Sequence, residues 1–199
     1  MGRLVLHYFD INDLKNIDDI PYLLESDYQE AYKYRQDIDR KQHLISAYFK
    51  RKYIKDYEID QYKKPVSKAC FFNISHANNM VIFMMNKDYE IGIDVEEIKE
   101  QSADLIKYIC SNLEYQYVKD AKNFAEIWTS KESLVKAYGK GLVKDIKNIP
   151  SLPLDGIKEY NENLYQTKVI HLNDYVISIC LKNIKPFEIA LFKETIWED

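Results

Sequence analysis

The chain has 199 residues, 46% of them hydrophobic, which suffices for one sizeable core or two small lobes sharing one. Its formal net charge of -4 lacks the basic excess of proteins that grip phosphate backbones, so nucleic acid is excluded as the expected partner. The longest uninterrupted apolar stretch, Met80 to Met85, is too short to cross a bilayer, and Cys70, Cys110 and Cys180 lack C-x-x-C spacing. A cytoplasmic chain with reduced, structural cysteines and no membrane association is expected.

Leu4, Val5 and Leu6 open a strand, and the Tyr-rich stretch from Asp10 to Arg35 reads as short helices. Asp39 with Gln42 three residues on has the form of a capping arrangement. Leu44, Ile45, Tyr48 and Phe49 then recur at helical spacing, predicting a helix from about Asp39 to Lys55. After Lys63-Lys64-Pro65, three apolar segments at strand length follow: Ala69 to Ile74, Met80 to Met85 and Ile91 to Val95. The charged, unpatterned Glu96 to Ser102 stretch is the best boundary, dividing the chain into lobes 1–97 and 98–199. Helical pattern runs from Ser102 to Tyr138, and Gly139, Gly141, Pro150 and Pro153 break it. Gly156 to Tyr160, Leu164 to Leu172, Tyr175 to Leu181 and Glu188 to Phe192 are then strands, with a tight turn at Asn173-Asp174. The class is α+β, with two lobes that each place helices before antiparallel strands.

Strand periodicity puts Asp94 and Glu96 on one face of Ile91-Gly92-Ile93-Asp94-Val95-Glu96, beside the small Gly92, which is expected to leave space for a ligand. Carboxylates about 7 Å apart repel by about 2 kcal/mol at an effective dielectric near 20, and a hard cation such as Mg²⁺ offsets this naturally. Taken alone, the pair is more simply a solvated polar face on a half-exposed strand. Glu132 and Lys136, four apart in a helix, project from one side, as an ordinary surface ion pair also does. Lys131 falls on the apolar stripe Phe124, Trp128, Val135 and Tyr138, which directs its ammonium at something specific. Phe72-Asn73-Ile74-Ser75-His76 brings a hydroxyl and an imidazole to a strand end, where ligand contacts are common and solvated side chains more so.

Asn73-Ile74-Ser75-His76, Gly92-Ile93-Asp94-Val95-Glu96, Trp128 through Lys131-Glu132 to Lys136, and Gly139-Lys140-Gly141-Leu142 together resemble, in order and spacing, the signature blocks of Sfp-type 4'-phosphopantetheinyl transferases. The resemblance implies paired α/β lobes with coenzyme A in the cleft between them and Mg²⁺ on its pyrophosphate. It implies Asp94, Glu96 and Glu132 as metal ligands, and Glu132, Lys136 and His76 as the catalytic set. Lys64, Ser75, His76, Lys131, Lys136 and Arg40 are implied at coenzyme A. At the nucleotide end the chain departs from the family: Ala77 stands where serine is frequent, Lys63 replaces a glycine, and Gln42 takes a position where arginine is common. Residues 33–64 hold ten Lys or Arg against five Asp or Glu, making Lys33, Arg40 and Lys41 candidates for the 3'-phosphate, although a solvated helix face carries the same charges.

The implied reaction moves phosphopantetheine from coenzyme A to a serine of an apo acyl or peptidyl carrier protein, releasing 3',5'-ADP, on a monomer. A magnesium-dependent phosphohydrolase of a coenzyme A-like pyrophosphate would use the same carboxylates with water as nucleophile. A non-catalytic paralogue that binds coenzyme A or a carrier is another reading, and a nucleic-acid-binding module built on the basic 33–64 stretch is a distant third, since no recognition motif accompanies the charge.

Overall fold

The computed structural model describes residues 2–62, 64–141 and 145–197, so Lys63 and Leu142, singled out above, lie outside the described residues. β1 (Gly2–Asp10) leads through a 3-10 turn at Ile11–Asp13 to α1 (Glu25–Ala31) and α2 (Asp37–Phe49), which continues as a π-helical turn over Lys50–Ile54. Asp39 and Gln42 do not cap α2. Gln36 holds the N-cap without a side-chain bond, and Gln42 Nε2 instead donates to the Asn78 carbonyl (2.8 Å), tying the helix to a strand turn.

A short pair not anticipated from the sequence, β2 (Glu58–Ile59) and β3 (Pro65–Val66), precedes β4 (Phe71–Ala77), β5 (Met80–Asn86) and β6 (Ile91–Glu97). The helical stretch after Ser102 divides into α3 (Ala103–Ile109), α4 (Asn112–Tyr117) and α5 (Ala121–Tyr138). It divides because Ser102, Ser111 and Asp120 each accept a backbone N–H of the following first turn and so start a new helix. Gly139 ends α5 with φ +77°, the left-handed conformation that glycine adopts without strain. Strands β7 (Gly156–Tyr160), β8 (Asn163–Leu172), β9 (Tyr175–Leu181) and β10 (Phe187–Lys193) follow, with Asn173 at positive φ in the expected β8–β9 turn.

The long strands form two four-stranded sheets, ordered β10-β1-β5-β4 and β6-β9-β8-β7. They face each other across one core, where Leu6, Met80, Ile82 and Met84 meet Ile91, Ile93, Val95, Ile177, Ile179 and Leu181. The alternate residues of β5, Val81 and Phe83, pack outward on Leu44, Ile45, Tyr48 and Phe49 of α2. Beyond the second sheet, Tyr165 and Cys180 pack on Leu134, Val135 and Ala137 of α5. The result is an α+β arrangement of helix, sheet, sheet and helix.

The expected boundary between residues 97 and 98 is crossed in both directions. β6, before it, pairs with β9 of the second half; β10, after it, lies beside β1, and this pair is parallel in otherwise antiparallel sheets. Each sheet therefore takes one strand from the other half. Past β10, the Glu194 carboxylate, 1% exposed, accepts from Lys52 Nζ (2.8 Å) and the Tyr53 hydroxyl and pairs with His7 Nδ1 (2.7 Å), fastening the last strand to the π-helical turn and β1. Burial alone would raise its pKa, but the bonds from His7, Lys52 and Tyr53 outweigh it and hold the carboxyl down at about 2.

The tightest joint in the fold lies between β6 and α5. A Cβ built on Gly92 would stand 2.0 Å from the Ser133 carbonyl oxygen and 2.3 Å from the Ala137 nitrogen, both backbone atoms that cannot swing aside. The space beside Gly92 is thus filled by α5 and is not open to a ligand. Gly92→Ala should force the helix off the strand and cost about 3 kcal/mol or more, as an overpacked core does. An unfolding midpoint in urea equal to that of the unsubstituted chain would contradict this.

Candidate active site at the joint of strand β6 and helix α5

Ile91, Ile93 and Val95 of β6 point into the intersheet core, which leaves Gly92, Asp94 and Glu96 facing α5. On the helix, Trp128, Glu132 and Lys136 follow at intervals of four and share one side. The two rows meet: Lys136 Nζ donates to Asp94 Oδ1 (2.6 Å) and Trp128 Nε1 donates to Glu96 Oε1 (2.9 Å). From β4, Ser75 Oγ also donates to Asp94 Oδ1 (2.8 Å) while accepting from Lys136 Nζ (2.9 Å). The polar-face and surface-pair explanations therefore do not apply, since Asp94 is 4% exposed and its cation comes from another element.

Asp94 Oδ2 is buried and has no hydrogen-bond partner among the described residues. An orphaned buried carboxylate oxygen is costly unless something not made of protein completes it. The Glu132 carboxylate makes no hydrogen bond among the described residues either. Burial raises the pKa of all three acids. For Glu96 it acts with the Asp94 charge, against the Trp128 bond, to lift the carboxyl to about 7; for Glu132 the Asp94 charge again adds to burial. No set of three or more His, Cys, Asp or Glu among the described residues is already gathered as a metal site. The donors nevertheless fit a hard divalent cation. They are oxygen ligands, one is orphaned, and mutual repulsion disfavours their charged forms until a cation arrives.

His76 reaches solvent at the end of β4, yet enough protein surrounds it that burial, followed by the Lys136 charge, lowers its pKa. A neutral imidazole able to donate one hydrogen bond is the consequence. Lys64 Nζ donates to the Lys136 carbonyl (2.8 Å), satisfying one of the free carbonyls at the end of α5. Burial lowers its pKa. It thus borders the site but is engaged by the helix end.

Lys131 is a correction. Its side chain is 0% exposed and its ammonium is consumed by Glu114 Oε2 (2.8 Å) and the carbonyls of Ile146 (3.0 Å) and Ile149 (2.7 Å). It is aimed at something specific, as its place on the apolar stripe implied, but the target is the chain itself, not coenzyme A. Arg40 bonds the carbonyls of Tyr34 (2.9 Å) and Arg35 (3.4 Å), Lys41 pairs with Asp37 (2.7 Å), and Lys33 pairs with Glu30. These three are engaged in local contacts.

Trp128 was read only as part of a stripe, although its indole N–H holds Glu96, and Asn73 was quoted in a motif without a role. Beside Glu96 and Trp128 an apolar recess of about 220 Å³ is lined by Leu105, Ile109, Phe124 and Ala125. A larger groove of about 890 Å³ lies between the Arg51–Glu58 and Val66–Ala69 segments and does not border the carboxylates.

Residues 90–180, which contain β6 and α5, match the sequence model of the 4'-phosphopantetheinyl transferase superfamily. The 4'-phosphopantetheinyl transferase Sfp of Bacillus subtilis (strain 168) is 33% identical over 126 residues, 56% of this chain and 52% of its own. The 4'-phosphopantetheinyl transferase gsp of Aneurinibacillus migulanus is 33% identical over 90 residues, covering 42% and 38%. The 4'-phosphopantetheinyl transferase psf-1 of Bacillus pumilus is 27% identical over 153 residues, covering 67% and 65%. The chain spans about half or less of the length of most of the curated relatives it matches.

Because Glu96 holds its proton more tightly when folded (about 7) than at the ordinary 4.5, it contributes stability at low pH that is lost as pH rises through about 7. Without metal, the melting temperature of the unsubstituted chain should therefore fall more between about pH 5 and about pH 8 than that of Glu96→Gln. Parallel pH profiles of the two would show that Glu96 titrates as an ordinary carboxylate.

Proposed function

We propose that this chain, whose residues 90–180 match the sequence model of the 4'-phosphopantetheinyl transferase superfamily, transfers 4'-phosphopantetheine from coenzyme A to a serine of an apo acyl or peptidyl carrier protein and releases 3',5'-ADP. The observation that carries the reading is the buried Oδ2 of Asp94, without a partner among the described residues, on a carboxylate that bonds Lys136 through Oδ1 and whose charge reaches Glu96 and Glu132. Asp94, Glu96 and Glu132 would hold Mg²⁺, which when bound supplies charge stabilisation at the pyrophosphate oxygens.

The chain's own groups account for the remaining steps. Lys136, whose ammonium lies at the same carboxylate, is placed to bind a pyrophosphate oxygen and to stabilise the departing phosphate. His76 on β4 offers its imidazole to a coenzyme A phosphate, whereas the Ser75 hydroxyl, on the opposite face of that strand, is taken up by Asp94 and Lys136. Glu132, whose carboxylate has no hydrogen-bond partner among the described residues and whose pKa is raised, accepts the proton of the carrier serine as its oxygen attacks the β-phosphate. Lys64 serves the nucleotide end indirectly by fixing the end of α5.

All of these residues come from one chain, which supports a monomer as the working unit. Three free cysteines fit a reducing compartment such as the cytoplasm, and among the described residues no helix is long and apolar enough to cross a membrane. Two related readings keep the same carboxylates. A phosphohydrolase would release 3',5'-ADP from coenzyme A with no carrier present, and a binding paralogue would release none at all.

Incubation with Mg²⁺, coenzyme A and apo carriers from fatty-acid, polyketide and nonribosomal peptide systems should add phosphopantetheine to at least one carrier, as read by intact mass. Asp94→Asn should remove most of that turnover. Carriers left unmodified here, but modified in parallel by a known transferase, would overturn the proposal.

A further inference from the structure

β4 and β6 are edge strands of different sheets, and each has hydrogen-bonded strand neighbours on one side only. The register of β6 determines which of its groups are left over. Lys182 N–H donates to the Glu90 carbonyl and Ile98 N–H to the Asp174 carbonyl, and both pairs lie in the β6–β9 ladder register. In an antiparallel ladder every second residue exchanges such bonds, so the even positions Gly92, Asp94 and Glu96 bond to β9. The odd positions Ile91, Ile93 and Val95 turn their N–H groups to the open edge. For Ile93, between Gly92 and Asp94, that edge is closed from β4: its N–H donates to Asn73 Oδ1 (3.0 Å). Asn73 and Ser75 lie two apart and so project from the same face of β4. The first holds the backbone one residue before Asp94, and the second holds the Asp94 carboxylate itself (2.8 Å).

We propose that Asn73 is a positioning residue for the cation site: through the Ile93 N–H it sets the β6 backbone so that Asp94 Oδ1 meets Ser75 and Lys136 while Oδ2 stays directed at the metal. This rests on the function proposed above only in naming a divalent cation as what Oδ2 awaits. A carboxamide can do this where a strand carbonyl cannot. A main-chain ladder between β4 and β6 would merge the two sheets, whereas a single side-chain acceptor satisfies one N–H and leaves the faces free to pack against each other. The expected size of the effect is that of groups that orient metal ligands without touching the metal, about 10- to 100-fold in metal affinity.

Mn²⁺ binding to the full chain, followed by the loss of free-ion electron paramagnetic resonance signal, measures this independently of turnover. Asn73→Leu keeps the volume and removes the acceptor, and should weaken Mn²⁺ by about 10-fold or more. Asn73→Asp keeps an acceptor oxygen and should bind Mn²⁺ at least as well as the unsubstituted chain. In the transfer assay, Asn73→Leu should raise the Mg²⁺ concentration needed for half-maximal rate while leaving the KM for coenzyme A at saturating Mg²⁺ little changed. Hydrogen exchange on the unsubstituted chain adds a readout that needs no variant: the Ile93 amide should be protected as strongly as the Gly92 and Asp94 amides. Unchanged Mn²⁺ binding in Asn73→Leu, equal loss in both variants, or rapid exchange at Ile93 would each overturn the assignment. A chain that binds Mn²⁺ as described but modifies no carrier would refute the proposed transfer and leave the role of Asn73 standing.

Discussion

The absence of one side chain, at Gly92, is the constraint on which the rest of this site depends. Because nothing projects from that point of β6, the backbone of α5 at Ser133 and Ala137 can rest directly on the strand. The small residues Ser130, Ser133 and Ala137 make the matching stripe on the helix, and the Ser133 and Ser178 hydroxyls share a hydrogen bond of 2.8 Å beside it. With the separation fixed there, residues farther along each element meet at side-chain length: Lys136 at Asp94 and Trp128 at Glu96. An alanine would act on every one of these contacts at once.

Charge is arranged unevenly around that joint. Lys136 and Ser75 both donate to Asp94 Oδ1, so one oxygen accepts two hydrogen bonds while the other has no partner among the described residues. Lys136 thus acts as a resident counter-ion that limits the cost of burying Asp94. The contrast with Lys131, five residues earlier on the same helix, is instructive. That ammonium has a carboxylate and two close carbonyls within 3.0 Å, and it is fully enclosed. A lysine with all its donors occupied by the chain braces the fold, whereas one on a half-satisfied carboxylate is available to a substrate. The Glu194 cluster belongs with the braces, since His7, Lys52 and Tyr53 complete the carboxylate and hold its pKa at about 2.

Much of this was legible in the sequence wherever local periodicity decides the outcome. The period of two in β6 correctly placed Asp94 and Glu96 together, and the spacing of four in α5 placed Glu132 beside Lys136. What stayed hidden depends on pairing between distant segments. Gly92 was read as leaving space for a ligand, and nothing local in the sequence shows that the backbone of α5 fills that space. The target of Lys131 comes from Glu114 and from carbonyls beyond α5, and no helical pattern encodes it. The strand exchange that sends β6 to β9 and β10 to β1 leaves no local trace, because a strand bonds equally well to any edge of suitable pattern. The role of Asn73 follows from which N–H groups of β6 face the open edge, and register alone sets that.

The central claim is that the β6–α5 joint makes Asp94, Glu96 and Glu132 one cation site at a pyrophosphate. Anomalous diffraction from crystals grown with Mn²⁺ and coenzyme A tests it most directly. The account predicts an anomalous peak within coordination distance of Asp94 Oδ2, shared with Glu96 or Glu132 and with pyrophosphate oxygens, and Lys136 drawn from Asp94 toward the phosphate. A peak elsewhere, with the Lys136 to Asp94 pair intact and coenzyme A bound away from the joint, would contradict it.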